Sequence, residues 1–353
     1  MNVSIAMRAV GVTAITVLGL AACSSSSGGG SGSGTTLTPQ GSTFQATLQQ
    51  QWASQYHQAH PNAKITYTGT GSSAGIAQFT AGKIAFAGSD VTMTSQEQSQ
   101  ANSSCGSQAW TVPITSGGVA IMYNLPGLST LKMSAATVAG IFMGKITHWN
   151  DSQIAAENPG VNLPSMPISV FHRADGSGTT AVLSGFLDAT APSVWTLGVD
   201  KQFSNWPTGQ GATGSSGVAQ GVKNTQGGIT YAEVTYAKQD NLATAAIKGA
   251  TGGYVPITPT EVAKSIQSGF SVTGSGHDLA GTLTFTKMTG YPISTVSYVL
   301  VCSKYKNSSE GSLVSSYLTY AAGPGQSQAT ALGFAPLPSQ LASKSSASVS
   351  AIT

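Results

Sequence analysis

Between residues 64 and 188 three short runs rich in β-branched and aromatic residues each hand over to a longer segment of helical pattern. Lys64 to Thr68 precedes Ala74 to Ala81, Val119 to Tyr123 precedes Ser134 to Phe142, and Ile168 to Phe171 precedes Thr179 to Asp188. Such alternation argues for an α/β protein with largely parallel sheets, because a parallel strand pair needs a crossover long enough to hold a helix. Glycines crowd the handover points: Gly69 and Gly71, Gly176 and Gly178, and the stretch from Gly209 to Gly217. In open α/β sheets the turns at the carboxyl ends of strands are where ligands bind. After residue 254 the pattern is less regular, with Thr282 to Thr286 and Tyr291 to Val301 reading as strands and Ser312 to Ala321 as a helix.

Only 8% of the 353 residues are Asp, Glu, Lys or Arg, against about a quarter in an average soluble protein. The 40% apolar content, with aromatics dispersed along the chain, is enough for sizeable cores despite the many glycines, so the chain is folded, in one or two domains. A net charge of +3, scattered along the chain, excludes a polyanion-binding surface of the nucleic-acid kind.

The N-terminus reads as a targeting segment. Arg8 is the only charge before Lys64, and Ala9 to Ala22 is a mostly apolar run ending in small residues, the length of a signal-peptide core and too short for a membrane span of about 20 residues. Leu20-Ala21-Ala22-Cys23 resembles a bacterial lipobox, so residues 1–22 are expected to be removed and Cys23 acylated. Ser24 to Gly34 contains only Ser and Gly, a tether with a root-mean-square reach of roughly 20 Å; residues 23–36 then form anchor and tether. The body behind it is expected to be soluble and extracytoplasmic. Its two remaining cysteines, Cys105 and Cys302, lie in a compartment that permits disulfides; a bridge and two free buried thiols both remain open.

Several catalytic motifs can be tested. There is no Gly-Lys-Ser/Thr of the phosphate-loop type and no Cys-x-x-Cys. His57 and His60 share a helical spacing but lack a nearby Cys, Asp or Glu to complete a metal site. Gly69-Thr70-Gly71-Ser72-Ser73-Ala74-Gly75 matches two rules: a dinucleotide fingerprint with Asp90 at the ribose position, and a nucleophile elbow with Ser73 as nucleophile. The elbow needs an acid and a base, for which His277 with Asp278 or Asp240 would be the candidates.

The physical content of that loop survives without either rule. Small and hydroxyl residues at a helix start expose backbone N–H groups, hydroxyls and the positive end of the helix dipole, which together attract an anion. The same chemistry recurs at Gly41-Ser42-Thr43-Phe44 and at Gly176-Ser177-Gly178-Thr179-Thr180, so three helix starts are candidates to converge on one small oxyanion. Arg173 and Asp175 precede the last of these; the carboxylate can orient the guanidinium for a bidentate contact. Asp90, in Phe86-Ala87-Gly88-Ser89-Asp90, is a second carboxylate among small residues. An Asp accepts a hydrogen bond from the hydroxyl of a protonated phosphate, whereas fully ionised sulfate offers no donor and leaves the acceptor unpaired.

With these motifs in order, the sequence resembles the substrate-binding lipoproteins of phosphate-specific ABC transporters over about the whole mature body. The resemblance also rests on Gly144-Lys145-Ile146 with Trp149, Asn158-Pro159-Gly160, Tyr236-Ala237-Lys238-Gln239 with Asn241-Leu242, and Tyr291-Pro292-Ile293. It implies a two-lobed, type 2 periplasmic-binding-protein fold with a ligand cleft between the lobes. Lobe I would hold residues 37–115 and 255–353, and lobe II residues 116–254. Phosphate contacts fall on Thr43, Phe44, Ser72, Asp90, Arg173, Ser177, Gly178 and Thr179, with Asp175 orienting Arg173. The implied protein is a monomer without cofactor or catalytic activity, lipid-anchored on the outer face of the cytoplasmic membrane, that delivers inorganic phosphate to permease subunits with a cytoplasmic ATPase. The alternatives are a receptor for sulfate, molybdate or phosphonate, or a serine hydrolase using Ser73. The chain departs from the family pattern at Gln45-Ala46-Thr47, where prolines are common, at Ala74 in place of Gly, and at His172 in place of a second Arg.

Overall fold

The computed structural model describes residues 36–353; the signal-peptide run, Cys23 and the tether lie outside the described residues. A nine-stranded sheet has an antiparallel centre, where Ala109–Tyr123 and Ser294–Cys302 pair from Ala109 to Gly118. Outward from Ser294–Cys302 lies Phe86–Ser89, antiparallel to it, then Gln40–Gly41 and Thr68–Gly69 in parallel. On the other side, Val119 to Tyr123 pair antiparallel with Gly228–Glu233, beyond which Ser169–Arg173 and Gln210–Ala212 add in parallel, while the short strand Ala243–Thr244 pairs antiparallel with Met122 and Tyr123. The largely parallel sheet expected from the alternating pattern therefore describes the two wings and fails at the centre. Ala109–Tyr123 carries the chain from one wing into the other, and Ser294–Cys302 runs in the opposite direction, paired with the first part of that strand and with Phe86–Ser89.

Every residue of Ala109–Tyr123 and of Ser294–Cys302 is buried, which is why these segments read as continuous apolar and hydroxyl runs and not as an alternation. Pro113 sits inside the first of them without a backbone N–H, and opposite it the register slips between Ser297 and Tyr298; a bulge is where a sheet interior tolerates proline. Gly117 and Gly118 permit close approach: a Cβ would come within 2.8 Å of the Phe44 ring at the first and 2.6 Å of Ile257 Cδ1 at the second.

Two segments differ from their sequence reading. Lys64 to Thr68 is interrupted: Lys64–Ile65 pairs with Thr36–Leu37 and Thr68–Gly69 with Gln40–Gly41, while Tyr67 between them turns inward and donates its hydroxyl to Ser42 O at 2.9 Å. Thr282 to Thr286 is strand only as Gly281–Leu283; Phe285–Lys287 then coils into a 3-10 turn, bringing the Phe285 ring within 2.9 Å of a Cβ position at Gly185. Cys105, the last residue of helix Ser95–Cys105, is disulfide-bonded to Cys302, the last residue of Ser294–Cys302. Among the described residues no helix is long and apolar enough to cross a membrane.

Candidate anion-binding site

Three helices begin at the carboxyl ends of sheet strands around one buried carboxylate. Gln40–Gly41 leads through Ser42, Thr43 and Phe44 into helix Ala46–Ala59; Thr68–Gly69 leads through Gly71 into helix Ser72–Thr80; Ser169–Arg173 leads through Asp175 into helix Gly178–Thr190. Gly71 has φ 91°, and a Cβ there would meet Asp175 Oδ2 at 2.6 Å. Only glycine fits that turn, both because it tolerates the positive φ and because the third loop presses against it.

Asp90, one residue beyond Phe86–Ser89, is buried at the convergence. Its carboxylate accepts the Ser42 hydroxyl at 2.7 Å, the Ser297 hydroxyl at 2.6 Å and, at 3.5 Å, the Thr179 hydroxyl. Its own N–H donates to Ser72 Oγ at 3.2 Å. Burial pushes the carboxyl above the usual carboxylate range, against the pull of the Ser297 and Ser42 hydroxyls and the Arg173 charge. The start of helix Gly178–Thr190 abuts the same spot, since a Cβ on Gly178 would lie 2.6 Å from Ser72 Oγ and 2.7 Å from Asp90 Cβ.

Arg173 is buried to 1% exposure, and its guanidinium is held from one side by Asp175: Nε donates to Oδ1 at 2.7 Å and Nη2 pairs with Oδ2. Asp175 also accepts the Gly214 N–H at 2.9 Å. Burial alone would raise the Asp175 carboxyl, but the Arg173 hydrogen bonds and charge, with the Gly214 N–H, carry it below the usual range. The remaining guanidinium edge reaches Ser215 Oγ at 3.4 Å, and that hydroxyl lies 2.9 Å from Thr43 Oγ1. Ser177 Oγ accepts the Thr180 N–H as a helix cap, leaving its hydroxyl hydrogen available to an acceptor.

Thr43, Ser72, Asp90, Arg173, Ser177, Gly178 and Thr179 are thus drawn together by these contacts and by the shared helix starts. Phe44 contributes through its backbone: its N–H points at Ser42 Oγ at 3.0 Å, while its ring is buried edge-on against Phe334 at 5.9 Å. Formally the site holds Arg173 against Asp175 and Asp90, so attraction for an anion must come from neutral N–H and O–H donors and helix dipoles as much as from net charge. Sequence reasoning missed Ser42, Ser215 and Ser297. Ser42 lay inside a motif already singled out and Ser215 follows the glycine cluster at a helix start, but Ser297 sits mid-strand with no local signal; the bulge beside Pro113 aims it.

The competing readings lose their parts. Ser73 N donates to Gly176 O at 3.1 Å, whereas His277 packs at a tilt against Trp110 with ring centroids 4.9 Å apart, Asp278 accepts the Thr111 N–H and Asp240 pairs with Lys223. Among the described residues no three His, Cys, Asp or Glu side chains group as a metal site.

Residues 25–324 match the family model of the PBP superfamily domain. Phosphate-binding protein PstS 3 of Mycobacterium tuberculosis is 38% identical over 363 residues, covering 98% of each chain. PstS 2 of the same species is 39% identical over 321 residues, covering 89% of this chain and 86% of its own. Among solved structures, a high-affinity periplasmic phosphate-binding protein (PfluDING) bound with phosphate superposes with a TM-score of 0.71 at 22% identity, over 89% of this chain and 93% of that one. The phosphate-binding protein of Stenotrophomonas maltophilia gives a TM-score of 0.69 at 22% identity, over 89% and 93%. The two solved structures carry the likeness of fold, a two-lobed α/β architecture, and the identity to the mycobacterial proteins carries the lineage: this chain belongs to the PBP superfamily and, within it, to the PstS phosphate-binding proteins.

Proposed function

We propose that this chain is an extracytoplasmic receptor that captures inorganic phosphate and delivers it to an ABC permease for import, with Cys23 as its lipid anchor. The observation that carries the reading is Asp90: a buried carboxylate set among helix starts, hydroxyls and Arg173. A carboxylate repels an anion unless the anion brings a proton to share. Monohydrogen and dihydrogen phosphate do, and accept from the surrounding donors with their other oxygens. Thr43, Phe44 N–H, Ser72, Ser177, Gly178 N–H and Thr179 would donate, and Arg173, oriented by Asp175, would supply the charge-assisted pair. Nothing in this cycle makes or breaks a covalent bond; capture is binding in preorganised surroundings that exclude water.

In this reading the wing built from residues 37–115 and 255–353 forms one lobe and residues 116–254 the other, and closure brings Arg173 to Thr179 against Ser72 and Asp90. The mature chain acts as a monomer. Calorimetric titration of ligand-stripped protein with phosphate and then sulfate tests it. Tight one-to-one phosphate binding, lost by at least about a hundredfold in Arg173→Ala, and no comparable heat from sulfate are expected. In Asp90→Asn the preference for phosphate should shrink, because the amide presents a donor as well as an acceptor. Sulfate binding as tight as phosphate in the parent protein would overturn the assignment.

A further inference from the structure

The described chain begins at Thr36, whose strand Thr36–Leu37 pairs in parallel with Lys64–Ile65, Thr36 opposite Lys64. A cavity beside that entry point is lined by Thr36, Lys83, Ser104, Lys306 and Glu310. Lys306 Nζ donates to Ser104 O at 3.0 Å, and the neighbouring Lys304 is fixed through its carbonyl, which accepts the Ser107 hydroxyl at 2.9 Å. Lys64, Lys83, Lys304 and Lys306 are all exposed. In a chain with only 8% charged residues this is a concentration of one sign, with Glu310 the acidic side chain at its rim. Among the described residues Lys64, Lys83, Lys304 and Lys306 form no ion pair with a carboxylate, in common with most lysines of the chain; Lys201, Lys223 and Lys264 do.

We infer that this face is a docking surface for an anionic bilayer, on which the body rests beside its own anchor. The inference depends on the lipid anchor proposed above. Residues 24–35 are all that separates Cys23 from Thr36, and so short a segment spans at most about 40 Å in any conformation, so whatever surrounds Thr36 stays within range of the headgroups. Unpaired ammonium groups held there gain from anionic headgroups and lose nothing by leaving a carboxylate partner. The site described above belongs to a different part of the sheet, so docking need not disturb it.

The lipidated mature chain is incorporated into vesicles of phosphatidylcholine alone, or with about one third phosphatidylglycerol, a strongly anionic surface. After flotation the vesicles are treated briefly with an amine-acylating reagent, and each lysine is read by mass spectrometry. On anionic vesicles at low salt, Lys83, Lys304 and Lys306 should react at least about fivefold more slowly than on neutral ones, and high salt should erase the difference. Lys223 and Lys248 should react alike on both. In the triple variant K83Q/K304Q/K306Q the protection of Lys64 should disappear while phosphate affinity stays within about twofold, consistent with surface substitutions away from the site. Equal reactivity on both vesicles, or equal protection of Lys223 and Lys248, would overturn the proposal. Failure to float on either vesicle would overturn the anchor and this face together, whereas calorimetry on the same sample reports phosphate binding independently.

Discussion

Glu233 ends strand Gly228–Glu233 and is wholly buried; its Oε2 caps the next helix by accepting the Thr235 N–H at 2.9 Å, and its Oε1 has no partner. Burial, opposed by the Thr235 hydrogen bonds and the Lys238 charge, pushes its carboxyl up to about 8. An unfolded Glu ionises near 4.3, so between those two values the folded chain keeps a proton that the unfolded chain has released. Stability conferred by the neutral acid is therefore complete below about pH 4.3 and is lost as pH rises through about 8, with a slope of up to about 1.4 kcal/mol per pH unit. Glu233→Gln keeps the cap and removes the proton, so melting temperatures measured from pH 5 to pH 9 should fall less steeply in the variant than in the parent. Parallel curves would show that Glu233 is ionised in the folded protein. Asp175 works in the opposite sense: held below the usual range by Arg173 and Gly214, its contribution is present at neutral pH and is lost as pH falls through the depressed value.

At the scale of elements, the helix beginning at Gly178 leaves no room at its start for a single methyl group. Its Cβ position falls 2.6 Å from Ser72 Oγ and 2.7 Å from Asp90 Cβ, closer than atoms pack without displacement. Gly178→Ala should weaken phosphate binding by tenfold or more, on the order of the 1–3 kcal/mol that overpacking costs. It should change the thermal stability of ligand-free protein much less, because the overlap arises where the two proposed lobes meet; an unchanged affinity would mean that the closed contact is dispensable. These helix starts were legible in the sequence because glycine, hydroxyl residues and a charge pair cluster within a few positions, as in Arg173 to Thr180. The strand Trp110 to Ile114 was not legible, since Pro113 argues against a central strand and the bulge that accommodates it is set by the partner strand. For the same reason Ser297 escaped notice: its role depends on register across the sheet, which local pattern does not carry. Ser215 is intermediate, placed by a recognisable glycine-rich helix start but joined to Thr43 and Arg173 only through tertiary packing.

For the molecule as a whole, the alternating pattern foretold the parallel wings, while the antiparallel centre required knowing that the chain returns through Ser294–Cys302. The disulfide belongs to this scale, because it closes a loop with a sequence separation of 197 that contains one entire wing. Cys105 and Cys302 both fall in the segments proposed as lobe I, so the bridge ties the outgoing and returning passes of the chain together on one side of the cleft and leaves relative lobe motion unrestrained. Its effect should then be on stability and not on capture. Cys105→Ser/Cys302→Ser is expected to lower the unfolding free energy by about 2–5 kcal/mol, the range for loss of a native bridge, in denaturant titrations of ligand-free protein. Phosphate affinity should change by less than about twofold, and saturating phosphate should stabilise both proteins by the same increment, about 2.7 kcal/mol at a hundredfold excess over Kd. A bridge that instead shaped the cleft would reveal itself as a smaller increment in the double variant, because the increment is set by affinity for the folded state alone.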